Sequence, residues 1–446
     1  MARGQMEPLE LPWGRGEPLP LRLPPQWRVV ACHRPRVLPP LEGLPVAVQM
    51  QLGRPIGAPP LRDLVGPGTR VALVMDDASR PTPISLLAPL VLEHLLAAGV
   101  RPEHVTGLFA IGTHRPLSQE EMAARAGASV VSRIRCLAVD CHDAEMFAFL
   151  GRTRRGTPVY LNRFAVEADL RVLIGTVEPH PQAGFGGGLK NLFPGLASAE
   201  SIGRNHLIAP SGGRYNLIGS LPEENPMRQD LEEAGRMAGP SFLLNVVLGP
   251  DLRPVGMFAG DPVAAHREAV RLARSLYGAP LRRRVDMVVA NAHPLDTDLR
   301  QAGKALLNVA GACRPGGAIL GFLRCEEGLG NVPLPGRVPP LRLARAAAQV
   351  LGHRGIALLA RHLPRAVPVE ARFLVRLGLH MLRDYHVRIY SPRLMEAAGG
   401  RFPPVLYADQ DRLFQGAERL VGTPAPEVAL FPWGGVSFPI LVSEEA

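Results

Sequence analysis

Residues 170–180 read LRVLIGTVEPH, an apolar run that passes without a break into a polar cluster ending at His180. Two upstream stretches repeat the arrangement: VALVM (71–75) leads into DDASRPTP (76–83), and VTGLFA (105–110) leads into IGTHRP (111–116). Short β-type runs separated by helical patterns such as 84–98 predict an α/β sheet with parallel strands. In open sheets of this kind ligands bind beyond the carboxyl ends of the strands. Three polar clusters at such ends therefore predict one site.

A chain of 446 residues exceeds what one hydrophobic core usually serves, so two domains are expected. A boundary near residue 280 follows from the basic stretch 281–284. Beyond it, VDMVVANAHPLDTDLRQAGKALLNVAGACRPGGAILGF (285–322) reads as strand, loop, helix, glycine turn and strand, a second βαβ beginning. The expected fold is thus α/β, two domains (1–280 and 281–446) with parallel-type sheets and an active-site cleft between them. The final run, EVALFPWGGVSFPILV (427–442), closes with a strand free to return to the first domain. Residues 341–382 read as arginine-rich helix broken by Pro364 and Pro368, a solvated face on packed helices rather than a membrane-surface segment.

Composition narrows the classes. A hydrophobic fraction of 46% with 20% charged residues belongs to a globular chain. The apolar stretch 84–100 is interrupted by Glu93 and His94, so no membrane span is expected. The opening MARGQMEPLELPWG lacks the apolar core of a signal peptide, and a cytoplasmic enzyme is the expectation. Five cysteines, Cys32, Cys136, Cys141, Cys313 and Cys325, show no CxxC spacing and argue against disulfides or a zinc ribbon. Cys141 and His142 offer metal-ligand atoms, but an ordinary thiol is the simpler reading. The formal charge of +10 comes from dispersed arginines with 5% aromatic residues, so no nucleic-acid partner is expected.

Of 50 basic residues only Lys190 and Lys304 are lysines. Arginine stays protonated, whereas a buried lysine can lose its proton and act as a nucleophile, so both lysines become candidates for chemistry. Lys190 sits in GTVEPHPQAGFGGGLKNLFPGLASAESIGRNH (175–206), which gathers His180, Gly186, Gly187, Gly188, Lys190 and His206. The glycine run lets backbone approach a ligand and presents amide donors, although it matches neither GxGxxG nor the Walker pattern and fits a bare turn equally well. Asp77, Ser79 and Arg80 follow a strand end, where they can hold a phosphate or a substrate carboxylate.

The blocks DDASRPTP, IGTHRP, EPHPQAGFGGGLKNLFPG, the Asn205-His206 pair, MFAGDPVAAH (257–266) and PLDTDLRQAGK (294–304) occur in order along the chain. In them the sequence resembles the nickel-pincer lactate racemase family, the 2-hydroxyacid racemases and epimerases that share a nickel pincer nucleotide. The resemblance implies a pyridinium-3,5-bisthiocarboxylic acid mononucleotide carrying nickel, linked to Lys190, with His206 completing the metal's coordination. An imidazole suits the one square-planar position that a pincer leaves open.

By the same resemblance His114 and His180 are paired acid/bases that serve the hydroxyl from opposite sides. A transient 2-oxo acid would form as hydride leaves and returns. Asp77, Ser79, Gly187 and Gly188 would help hold the cofactor, while Arg80, Arg300, Gln301 and Lys304 would face the substrate. Cofactor-biosynthesis proteins would be loading partners. Two positions depart from the family: Arg300 stands where lactate-specific members carry an aromatic residue, and Gly186 replaces a frequent serine. Arg300 can pair with a second carboxylate or with hydroxyls, which opens the reading to a larger 2-hydroxy acid. A nicotinamide-dependent hydroxyacid dehydrogenase is the alternative enzyme, disfavoured by the missing GxGxxG. A non-catalytic cofactor carrier is the other alternative, disfavoured because storage requires neither His114 nor His180.

Overall fold

The computed structural model describes residues 9–442 apart from 15, 209–214, 331–339, 365–366 and 399–404. The first eight residues, part of the stretch read above for a signal peptide, lie outside the described residues. Two six-stranded sheets organise the chain. The earliest of their strands along the sequence, β1 (Arg28–Cys32), belongs to the sheet built mainly by residues beyond 280.

The other sheet comprises β2 (Val71–Asp76), β3 (Val105–Ala110), β4 (Arg135–Leu137), β5 (Leu170–Thr176), β6 (Ser241–Leu248) and β7 (Pro254–Gly260). Its order is β7-β6-β5-β2-β3-β4, with only β7 antiparallel to its neighbour. Every residue of β2 and β5 is buried, as expected for parallel strands covered on both faces. The two-residue alternation of a strand sorts them into two apolar layers. Leu73, Met75, Val172 and Ile174 pack on one side with helix α1 (Ile84–Ala97), which buries Ile84, Leu87, Ala88, Val91, Leu92 and Leu95 at helical spacing. Ala72, Val74 and Leu173 pack on the other with Leu189, Leu192 and Phe193, the apolar neighbours of Lys190. The candidate lysine is thus anchored to the sheet by its own flanks.

The chain moves outward from β2 to β3 and β4, then returns to lay β5 on the opposite side of β2. Strand order therefore reverses between β2 and β5, the kind of position at which open α/β sheets form ligand crevices.

The second sheet is parallel throughout. It joins β8 (Val285–Asn291), β9 (Cys313–Phe322), β10 (His386–Tyr390), β11 (Leu406–Tyr407) and β12 (Glu427–Phe431) in the order β11-β10-β9-β8-β12-β1. The compact units are consequently discontinuous: one is Met1–Arg36, Tyr277–Leu359 and Arg376–Ala446, the other Val37–Leu276 and Ala360–Val375. A single cut near 280 does not describe them, because β1 pairs with β12 and no local pattern announces so distant a partner. The closing strand Phe438–Leu441 pairs with Gly278–Leu281 and stays with the second sheet's unit. All five cysteines are free, and no helix among the described residues is long and apolar enough to cross a membrane.

Candidate active site

The ends of β2 and β5 are tied together by a carboxylate. Asp76, buried, accepts through Oδ2 from Thr82 Oγ1 at 2.6 Å and from the Thr176 amide at 3.2 Å. Burial pushes its carboxyl up, against the pull of the Thr82 bond and the charges of Arg80 and Arg125. The next residue behaves oppositely. Asp77 Oδ2 bonds His114 Nδ1, and its Oδ1 accepts from Ser79 Oγ at 2.7 Å. Burial would raise this carboxyl too, but the His114 bond and charge, then Arg80 and Ser79, outweigh it and hold it at about 2. An ionised carboxylate only accepts, so His114 donates from Nδ1, and in its neutral form the ring carries the lone pair on Nε2, the arrangement of a general base.

Arg80 forms a largely buried ion pair with Glu178, which lies two residues before His180. The structure brings Asp77, Ser79, Arg80 and His114 together at the switch point, as three strand-end clusters suggested. It bonds Ser79 to Asp77 and Asp77 in turn to His114, so the two strand-end clusters position the His114 ring. Glu178 was missed, although its place in EPH beside a strand end was the available signal.

The glycine run is dictated by crowding. Gly187 and Gly188 adopt φ of 69° and 63°, and a Cβ on Gly187 would lie 2.5 Å from Asn245 Oδ1 and 2.8 Å from the Thr176 carbonyl. The Gly186 and Gly188 amides donate to the Glu178 carbonyl at 2.7 Å and to Asn245 Oδ1 at 2.7 Å. The loop's backbone lies close against β5 and β6, and the Gly186 and Gly188 amides are taken up inside the protein.

Its carbonyls are held from below. Helix α2 (Ala199–His206) is followed by α3 (Pro226–Arg236), whose Arg228 is 0% exposed. Arg228 donates from Nη1 to the Gly187 carbonyl at 3.1 Å and from Nη2 to the carbonyls of Phe185 and Gly186. On α4 (Ala264–Tyr277), buried His266 donates from Nε2 to the Gly186 carbonyl at 2.8 Å. Burial, then the Arg228 charge, drives His266 well below 6.5, so it stays neutral. Arg228 escaped the sequence reading because Arg228 and Glu232, four residues apart, look like a solvated helix pair.

Lys190 lies in the turn Gly188–Asn191, with its amide on the Gly187 carbonyl and its carbonyl taken by the Gly195 amide. Asn191 fixes the turn to the sheet through a 2.8 Å bond from Nδ2 to the Ile174 carbonyl. His206 closes α2, capped at its start by Ser198, and is 8% exposed with its ring 4.7 Å from that of Phe373. Its Nδ1 donates to the Ile202 carbonyl at 2.8 Å, which leaves the lone pair on Nε2, the nitrogen a metal would use.

The remaining candidates belong to the other unit. Asp298 caps α5 (Leu299–Ala302) by accepting from the Gln301 amide at 2.8 Å, and Lys304 Nζ donates to Gln301 Oε1. The single helix face expected from their spacing is broken at Gly303, since Lys304 opens the next helix, Lys304–Val309, and the bond brings the two side chains together; Arg300 lies on the short helix beside Gln301. Elsewhere, Asp140, Cys141 and His142 each bring a ligand atom within 4.8 Å of the others, the one such grouping of three among the described residues. A cavity of about 780 Å³ near Thr69, Asp169 and Ser241 opens at the strands' opposite edge and includes none of the candidate residues.

Comparison with known proteins places the chain in a class. Residues 15–214, which contain His114, His180, Lys190 and His206, match the family described as the lactate racemase N-terminal domain. Lactate racemase of Thermoanaerobacterium thermosaccharolyticum is 31% identical over 285 residues, 64% of this chain and 66% of that one. Lactate racemase of Lactiplantibacillus plantarum is 30% identical over 293 residues, 64% of this chain and 67% of its own length. The chain therefore spans about two thirds of the length of these relatives in the aligned stretches. The lactate racemase apoprotein structure from T. thermosaccharolyticum superposes with a TM-score of 0.79 at 25% identity, covering 97% of this chain and all of that one. A Thermotoga maritima crystal structure shares the fold, with a TM-score of 0.64 at 19% identity over 89% of this chain and 98% of that one. The chain belongs to the lactate racemase family.

Proposed function

We propose that the chain is an isomerase that racemises or epimerises a 2-hydroxy acid, lactate-like or larger, using a nickel pincer nucleotide. The observation that carries this reading is the pair of fixed tautomers: Asp77 sets His114 with its lone pair on Nε2, and the Ile202 carbonyl does the same for His206. The donor set fits the cofactor, since a neutral imidazole nitrogen is a suitable nickel ligand and Lys190 is a lysine in an arginine-dominated chain. His206 would ligate the metal and Lys190 would carry the covalent link. When bound, the cofactor supplies a hydride acceptor for the carbinol carbon and returns that hydride.

The chain's own residues handle the rest. His114 Nε2 takes the hydroxyl proton, and the Asp77 carboxylate stabilises the imidazolium that results. His180 serves the same oxygen from the other side. Arg80, steadied by Glu178, is the carboxylate-binding guanidinium. Gln301 and Lys304 bind the substrate's polar groups, and Arg300 favours one with a second carboxylate or additional hydroxyls. The reaction runs in the cytoplasm, with cofactor-biosynthesis proteins as loading partners. Intact mass measurement after co-production with those proteins should show an adduct on Lys190 and one nickel per chain, accompanied by inversion of a 2-hydroxy acid on a chiral column. Full activity in protein lacking both nickel and adduct would refute the proposal.

A further inference from the structure

A carboxylate, a thiol and an imidazole meet just past β4, on the edge of its sheet and apart from the residues gathered above. Asp140, Cys141 and His142 each place one ligand atom within 4.8 Å of the others. The three are consecutive, and the chain turns there: the His142 amide donates to Asp140 Oδ1 at 2.9 Å, which leaves Oδ2 to ligate. Cys141 is buried in the apolar layer that holds Leu196, Ala197 and Ala199, while Asp140 and His142 are exposed. The donor set is thus anchored on its inner side and open to ions on its outer one.

Local charge runs against that of the whole molecule. The formal charge is +10, yet no lysine or arginine lies between Arg135 and Arg152, a stretch that carries Asp140, Asp143 and Glu145. Two arginines beside the loop are engaged elsewhere, Arg135 over the Phe164 ring at 4.7 Å and Arg163 on the Glu145 carbonyl at 2.6 Å. The loop is an island that attracts cations on a basic protein.

We propose that Asp140, Cys141 and His142 bind a borderline divalent cation of the zinc(II) type, with water in the fourth position. Zinc takes sulfur at about 2.3 Å and nitrogen or oxygen at about 2.0–2.2 Å, so tetrahedral ligand atoms stand about 3.3–3.6 Å apart. Rotation of the two exposed side chains closes the present spacing to that value. Cys141 gives its thiol proton to solvent as the metal–sulfur bond forms. Carboxylates alone would suit calcium or magnesium, whereas thiolate with imidazole selects a softer ion. The Cys141 carbonyl accepts from the Ala199 amide, the first of α2, at 2.9 Å. An occupied site therefore braces the start of the helix that ends at His206. This metal is distinct from the nickel of the proposed cofactor, and its site stands whether or not that reading holds.

The test titrates cobalt(II), a spectroscopic stand-in for zinc, into the full chain and into C141S, H142A and D140N, with H206Q in parallel to account for metal taken at His206. The parent and H206Q should both show a thiolate-to-cobalt charge-transfer band and the intense visible bands of four-coordinate cobalt, and zinc should displace them. C141S should lose the charge-transfer band. H142A and D140N, altered only at exposed side chains, should bind at least roughly 10–100-fold more weakly. A charge-transfer band that persists in C141S, and so arises at another cysteine, overturns the proposal, as does parental affinity in H142A and D140N together. A six-coordinate spectrum without the thiolate band would mean binding by carboxylates alone and would equally overturn it. Hydrogen exchange at the Ala199 amide should slow on zinc loading, and unchanged exchange in the loaded protein would refute the bracing of α2.

Discussion

The buried guanidinium of Arg228 offers the sharpest test of how the glycine loop is held. Burial lowers it to about 10, with Glu232 opposing and Arg267 adding to that shift, so it remains charged at neutral pH. In R228M the carbonyls of Phe185, Gly186 and Gly187 lose their shared donor, and Glu232 keeps only Arg267, at 2.7 Å. Breaking a buried charged network of this kind costs roughly 3–5 kcal/mol. Urea unfolding should register that loss, with Tm falling by about 2–4 °C for each kcal/mol. R228K keeps the charge but cannot reach three carbonyls with one compact ammonium, and should lose roughly 1–3 kcal/mol. Because the same carbonyls position the turn that carries Lys190, adduct formation on Lys190 should fall in R228M even at temperatures where the variant is folded. The reasoning fails if R228M behaves as a surface change, within roughly 0.5 kcal/mol of the parent and loading normally.

Other expectations follow from the same region. His266 is neutral when folded but titrates near 6.5 when unfolded, so the unfolded chain gains a proton that the folded one refuses, and stability declines as pH drops below about 6.5. H266N should flatten that decline by up to about 1.4 kcal/mol per pH unit in urea titrations, and an unchanged slope would exclude this role. G187A places a Cβ 2.5 Å from Asn245 Oδ1 at a φ of 69°, so thermal melts should show destabilisation of at least about 1–3 kcal/mol; a neutral result would mean the loop has other room. D77N removes the carboxylate that fixes the His114 tautomer. Turnover should drop by roughly 10²–10⁴-fold while Lys190 loading persists, and a wild-type rate would free Asp77 of its positioning role.

Local pattern revealed the strands that build the site. The readings 71–75, 105–110 and 170–174 became β2, β3 and β5 with at most two residues' difference, because a parallel strand covered on both faces writes itself as a mostly apolar run. The polar clusters at their ends were legible for the same reason, since an apolar run must stop where the sheet meets solvent or ligand. What stayed hidden depends on partners far along the chain. Nothing in RVVAC predicts pairing with β12, and nothing in PMRQDLEEAGR says that Arg228 faces three carbonyls rather than water. The tautomers of His114 and His206 are equally invisible in sequence, because each is decided by one neighbouring carboxylate or carbonyl.

The interleaving of the two units bears on how the chain is made. Strand β1 leaves the ribosome well before its neighbour β12, so the second sheet's edge waits for all of the chain between them. The helix ending at His206 waits as well: Gly203 lies against Val369, near enough that a Cβ there would meet the Val369 backbone at 2.7 Å, and the His206 ring faces Phe373. Contacts of such sequence separation form late and slowly. A loading step that requires His206 in its packed position therefore acts only after Val369 and Phe373 have been made, and cutting the chain before them strips the packing around that histidine.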